Sequence, residues 1–351
     1  MEDADRVNED VDADEVGVAE PEPERRHRDD ESGSSVEEEM EEEEEEEPRI
    51  PTPEEVELEY TYPQDFVGRS WEDVVQRRYF RLILDPSCIT VPPEKFRYCE
   101  YLIKIVYPEG ADSILLRIGQ QAFEKCCNLH QMNPFPDGLV ELDYSAFDYC
   151  RKLQGRITIP PSIQFVRSSC FSDCNAITSV VFESSSATTT VVELDSYIFR
   201  YCEELLSVRL PINLRVIPMG CFVRCCSLID VPIPGTVHEV RTGALHCCSS
   251  LVSLDLPENV NLIQDYACAR CTALKTVAIR SSSPNLRVGN AVFDSCPSLE
   301  TIKVYPLIFP KLFHALEIDS YHLNFTYKFY RKYEHQIALY RQQQQQQQRQ
   351  S

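Results

Sequence analysis

Ile217-Pro-Met-Gly-Cys-Phe222-Val-Arg-Cys225-Cys-Ser-Leu228-Ile-Asp-Val-Pro-Ile-Pro234 is the stretch that decides the fold. It sets an aliphatic residue, an aromatic five later, a cysteine three after that and a leucine three after that. The phrase recurs through the chain. The aromatic slot holds Phe96, Phe123, Phe147, Phe171, Phe199, Phe222, Leu245, Cys268 and Phe293. Three residues on stand Cys99, Cys126, Cys150, Cys174, Cys202, Cys225, Cys248, Cys271 and Cys296. Slot-to-slot spacings run 27, 24, 24, 28, 23, 23, 23 and 25 residues. A fixed period of this size marks a solenoid, in which each unit buries its apolar side only against its neighbours.

The tail of each unit reads L-x-x-L-x-L, as in Leu251-Val-Ser-Leu254-Asp-Leu256 and Leu205-Leu-Ser-Val208-Arg-Leu210. Its last positions alternate inward and outward, as a strand requires. Prolines such as Pro160, Pro211, Pro234 and Pro257 follow, and proline cannot donate to a sheet ladder.

These residues resemble the BspA-like leucine-rich repeats, whose unit reads roughly I-G-x-x-A-F-x-x-C-x-x-L-x-x-I-x-L-P. Residues 118–129, IGQQAFEKCCNL, and 288–299, VGNAVFDSCPSL, carry the resemblance most closely. It implies an α/β repeat fold, a right-handed leucine-rich-repeat solenoid with one parallel β-sheet. It also implies an interaction or adhesion role. The family's glycine stands only at Gly119 and Gly289, so most coils need a different turn there.

Outward from the repeats, five segments are expected. Residues 1–60 read as a disordered acidic tail and 61–90 as an N-terminal cap. Residues 91–306 are nine coils, 307–341 a helical C-terminal cap, and 342–351 a polyglutamine tail. The formal charge of −23 sits wholly in the first segment, which has 28 acidic and 5 basic residues. Such density repels itself and buries nothing. The cap begins with Ser70 before Trp71-Glu72-Asp73, a helix start, and continues to the apolar run Phe80–Leu84. Phe325, Phe329, Tyr333 and Ile337 fall at helical spacing beyond the last coil.

The neutral body and acidic tail argue against nucleic acid, which demands a basic footprint. No apolar run approaches the ~18 residues that span a bilayer. The start MEDADRVNED lacks a secretory pattern, so a cytoplasmic or nuclear protein with reduced cysteines is expected. No catalytic motif or cofactor site is expected. Cys268-Ala-Arg-Cys271 has the C-x-x-C spacing, but the repeat produces it by placing cysteine in the aromatic slot. The cysteine column is expected to be packing, since free cysteine acts as a small hydrophobe.

The leading expectation is a non-enzymatic scaffold binding a protein partner. A surface or adhesion protein is the first alternative, and a metal or redox protein built on the surplus cysteines the second. The outward strand positions are the candidate face: Lys104, Asn133, Thr158, Ser179, Ser207, Arg209, Asp230, Ser253, Asp255, Thr276, Thr301 and Lys303. Tyr98, Arg151 and Arg200 in the connecting segments are further candidates, because binding surfaces favour Tyr and Arg.

Overall fold

Every coil turns three corners, and each corner is stitched to the next coil by its own hydrogen bonds. The computed structural model describes residues 50–108, 113–184, 191–281, 283 and 285–304. Most of the expected tail, the helical C-terminal cap and the polyglutamine run lie outside the described residues.

The L-x-x-L-x-L tails form the long ladder, a parallel arrangement of ten strands in three runs. The first run contains Glu59–Tyr62, Phe80–Leu84, Leu102–Val106 and Gln131–Met132. The second contains Gly155–Ile159, Ile177–Phe182 and Ser207–Arg209. The third contains Ser253–Leu256, Thr276–Ile279 and Thr301–Val304. Both gaps fall at paired prolines, Pro134 with Pro136 and Pro232 with Pro234, which lack the N–H a ladder needs.

A second ladder corrects the expectation of one sheet. The aliphatic residues five before each aromatic end two-residue strands, among them Thr90–Val91, Arg117–Ile118, Val216–Ile217 and Glu239–Val240. These pair in parallel in runs of five and four. The α/β class is corrected as well. Among the described residues the α-helix is confined to Trp71–Val75, with one 3-10 turn at Gln64–Phe66.

The third corner explains why no coil is helical. Residues two before and two after each aromatic slot are left-handed, with φ between 50° and 61° in all nine coils. Only Gly220 and Gly243 among these eighteen positions are glycine. Left-handed φ typically costs a non-glycine residue roughly 1–2 kcal/mol. Here it aims alternate N–H groups along the solenoid axis. Tyr98 N donates to Glu124 O at 2.8 Å, Phe96 N to Ala122 O at 2.8 Å and Glu94 N to Gln120 O at 2.8 Å. Phe222 N and Arg224 N repeat the pattern onto Ala244 O and His246 O. The turn is therefore a hydrogen-bonded column, and any helical stretch would break it.

The core lies between the three corners. Phe96, Phe123, Phe147, Phe171, Phe199 and Phe222 stack with centroids 5.2–5.8 Å apart and planes within 15°. All nine column cysteines are buried. Eight of their thiols donate back to the aromatic-slot carbonyl of the preceding coil, from Cys126 Sγ on Phe96 O at 3.1 Å to Cys296 Sγ on Cys268 O at 3.2 Å. The slot is small and apolar, and the thiol adds a second bond to a carbonyl that in most coils already accepts from its own coil, as Phe96 O does from Cys99 N at 3.1 Å.

The N-terminal end is covered as expected of a cap. Ser70 Oγ accepts from Asp73 N at 3.3 Å and starts the short helix. Phe66 meets Phe96 edge-on at 5.2 Å and closes the aromatic stack. Part of the segment expected to be tail is packed. Val56 is buried and Glu59–Tyr62 pairs with Phe80–Leu84, because apolar residues 56, 58, 60 and 62 alternate into the first layer.

Candidate protein-binding surfaces

The long ladder brings the candidate face together in register. Ser179 lies beside Ser207, which bridges to Asp230, while Val181 joins Thr158 to Arg209. Ser253 lies beside Thr276 and then Thr301; Asp255 follows the row through Ala278 to Lys303. Lys104 stands in the first run beside Arg81 and Gln131. None of the twelve is buried.

Two of them are occupied by structure. Asn133 accepts from Tyr107 N at 2.6 Å and donates to Tyr107 O at 2.9 Å, standing in for the strand that Pro134 interrupts. Asp255 holds the Arg280 guanidinium through both carboxylate oxygens. Arg209 makes no ion pair among the described residues.

The second gap opens a groove. Pro232 and Pro234 end the pairing after Asp230, and a hollow of about 530 Å³ results, lined by Val181, Arg209, Ile212, Pro232, Ile233 and Gly235. It adjoins one of about 370 Å³ that shares Ile233 and Gly235 and runs to Asp255, Glu258 and Arg280. Ile212, 62% exposed, gives the hollow an apolar edge.

The turn corner presents a different chemistry. Its residue two after each aromatic slot faces outward, giving Tyr98, Lys125, Tyr149, Asp173, Tyr201, Arg224, Cys247, Arg270 and Ser295 in successive coils. Lys125 lies over the Tyr98 ring at 4.9 Å and the Tyr149 ring at 5.6 Å, with Arg151 5.3 Å from Tyr149. Arg200 and Arg224 both lie over the Tyr201 ring, at 4.7 and 5.3 Å. Tyr98, Arg151 and Arg200 were legible as candidates. Tyr149, Tyr201, Arg224 and Arg270 were missed, although their shared offset from the aromatic slot is written in the sequence.

The cysteines offer little chemistry. Burial first of all pushes the thiols of Cys126, Cys174, Cys202, Cys225 and Cys248 well above the ordinary cysteine range. The thiolate, which is the nucleophile and metal ligand, is suppressed there. Within Cys268-Ala-Arg-Cys271, Cys268 fills the core and Cys271 Sγ donates to Leu245 O at 3.1 Å, so both are ordinary column members. Among the described residues no cluster of three or more His, Cys, Asp or Glu is placed to hold a metal ion. Among the same residues no helix is long and apolar enough to cross a membrane.

One carboxylate is perturbed. Burial, and then the neighbouring Asp173 carboxylate, push Asp148 up to about 7.

Comparison with known proteins agrees with this geometry. Residues 89–191 and 183–300 match the BspA type leucine rich repeat region in six copies. The chain belongs to the BspA type leucine-rich repeat family. Among solved BspA-type or related structures, a leucine rich repeat protein of T. pallidum is 30% identical, covering 49% of this chain and 77% of that one, with a TM-score of 0.42. A leucine-rich repeat protein of Bacteroides ovatus is 19% identical over 65% of this chain and 69% of its own, with a TM-score of 0.44. The pneumococcal vaccine antigen PcpA is 16% identical over 73% of this chain and 81% of its own, with a TM-score of 0.32. No relative was found among the curated proteins.

Proposed function

We propose that this BspA-type chain is a non-enzymatic scaffold that binds a protein partner on its long-ladder face, with the groove at Pro232 and Pro234 as the centre of contact. The observation that carries the reading is the groove itself. It joins an apolar floor to Arg209, which makes no ion pair among the described residues, and exposed Ile212 lines it. A desolvated pocket with an apolar rim and an arginine is where binding energy concentrates. The nucleophilic side chains support the same reading, since the column thiols are committed to neighbouring carbonyls. A reducing compartment fits those thiols, and a cytoplasmic or nuclear site is proposed with it.

Proximity labelling tests the reading. The full chain is compared with one carrying Arg209→Glu and Ile212→Asp, both at exposed positions. The proposal expects a defined set of labelled neighbours to disappear with the melting temperature unchanged. An identical set from both chains overturns it.

A further inference from the structure

The arginines of this molecule fall into two classes. Arg97, Arg117, Arg167, Arg241 and Arg280 each meet a carboxylate, as in Arg97 Nε on Glu124 at 2.7 Å. Arg200, Arg224 and Arg270, all on the turn corner, meet none among the described residues. They lie in consecutive or near-consecutive coils, with Arg224 and Arg270 at the same offset two coils apart. A parallel ladder spacing of about 4.8 Å puts their backbones roughly 10 Å apart.

Three observations converge there. Arg200 and Arg224 both lie over the Tyr201 ring, and Arg200 also reaches the Tyr197 ring at 5.6 Å. Stacking on tyrosine fixes a guanidinium plane and leaves N–H groups for an acceptor, although Arg200 Nη2 already donates to the Tyr201 hydroxyl at 3.3 Å. His246 lies one residue from the column, between Arg224 and Arg270. Burial first, then Arg270 and Arg224, hold its imidazole below the ordinary range against the opposing pull of Asp294. The positive strip is also short. Asp173 precedes it in the coil before Tyr201, and Asp294 stands in the coil after Arg270.

We propose that Tyr201, Arg200, Arg224 and Arg270 form a second docking surface for a carboxylate-rich segment of a protein partner. A peptide in the polyproline II conformation repeats its side-chain direction every three residues and advances about 9 Å in doing so, so acidic side chains three apart reach Arg224 and Arg270 together. Two forked guanidinium–carboxylate contacts then form along the solenoid axis. A duplex nucleic acid fits this strip poorly. Its charges recur every 1.7 Å or so, and they would run past the strip onto Asp173 and Asp294 with no wider basic footprint.

The inference rests on the protein-binding reading but uses another face, so the two fail separately. Fluorescence anisotropy with a fluorescein-labelled decapeptide carrying glutamate at every third position and serine elsewhere is measured on the full chain. The same measurement is made on Arg224→Gln/Arg270→Gln, Tyr201→Ala, and the ladder-face control Arg209→Gln. Expected are saturable binding to the native chain and weakening of about tenfold or more in the double variant, from two lost charge-assisted contacts. Tyr201→Ala is expected to weaken binding to a smaller degree, and Arg209→Gln to leave it intact. Melting temperatures within a degree or so of native certify the fold of each exposed-site variant.

No saturable binding, or equal binding by the double variant, overturns the proposal. Tighter binding of a DNA duplex than of the peptide, lost in the double variant, assigns the strip to nucleic acid and overturns it too. A marked gain of peptide affinity on changing Glu41–Glu47 to glutamine in the full chain gives the strip to the chain's own acidic run instead of a partner, and likewise overturns it. Loss of the ladder-face neighbours without change in peptide affinity leaves this inference standing by itself.

Discussion

The first six coils and the last three are built on the same plan with different fillings. From Phe96 to Phe222 the aromatic slot is an unbroken stack, with Phe147 and Phe171 only 4° from parallel. From Leu245 onward it holds leucine, then cysteine, then Phe293, which stacks on no ring among the described residues. The thiol relay crosses the change without a gap: Cys248 reaches Phe222 O and Cys271 reaches Leu245 O at 3.2 and 3.1 Å. The aromatic slot thus needs only apolar volume, whereas the cysteine slot needs volume and a donor together. Side chains that fill space are interchangeable; a side chain that also satisfies a backbone carbonyl is not.

The largest effect should come from the stack. Phe171 is flanked by rings on both sides, at 5.4 and 5.8 Å, and is fully buried. Phe171→Ala should cost about 3–5 kcal/mol, from transfer plus cavity. Phe293→Ala, at 5% exposure with Cys268 as its neighbour in the column, should cost clearly less. Denaturant melts decide it, and equal losses would erase the distinction between the two regions.

Next in size is the left-handed turn. Gly243→Ala pays only for its φ of 58°, since a methyl there meets nothing nearer than His246 Cβ at 3.7 Å. A loss of roughly 1–2 kcal/mol is expected. Gly220→Ala also drives its methyl into the Tyr197 ring and should lose more. A smaller loss at Gly220 would show that Tyr197 swings away freely, which would weaken its role beside Arg200.

The cysteine relay is tested by Cys225, whose thiol lies 3.1 Å from Phe199 O. Cys225→Ala should cost around 1 kcal/mol, the usual net value of one hydrogen bond. Cys225→Ser retains a donor and should be no less stable than Ala. A slot that wanted only a small apolar filler would rank Ala well above Ser, because burying an idle hydroxyl is unfavourable.

Smallest is a pH effect confined to the first region. Asp148 has its folded-state pKa raised to about 7, above the ~3.9 of an unfolded chain. The folded state therefore binds the extra proton, and the associated stability is present below about pH 4 and lost as pH rises through about 7. Asp148→Asn should raise the melting temperature more at pH 8 than at pH 5. In the last three coils the same slot holds His246, Ala269 and Asp294, of which only Ala269 offers no titrating group. A pH-independent difference would mean that Asp148 stays ionised and solvated in the fold.

The solenoid, its phase and its columns were legible because a one-dimensional repeat states its inward positions again in every coil. Phe222 inward and Arg209 outward follow directly from that phase, and both stand so. The short second ladder was harder to read, since a two-residue strand has no alternation to display. The left-handed turn was hidden for another reason. Sixteen of its eighteen positions are not glycine, so the usual signal of positive φ is missing. Neighbouring coils enforce the conformation through bonds such as Tyr98 N to Glu124 O, 26 residues away in sequence.

The sequence by itself determined the period, the identity of the core columns and the family, because burial against a neighbour imposes the same residue types at the same offsets. Only the tertiary structure decided what the cysteines bond to, where the long ladder opens and which arginines lack a carboxylate. Those are relations between coils, and a hydrogen bond or an ion pair is fixed by distances that no single coil contains.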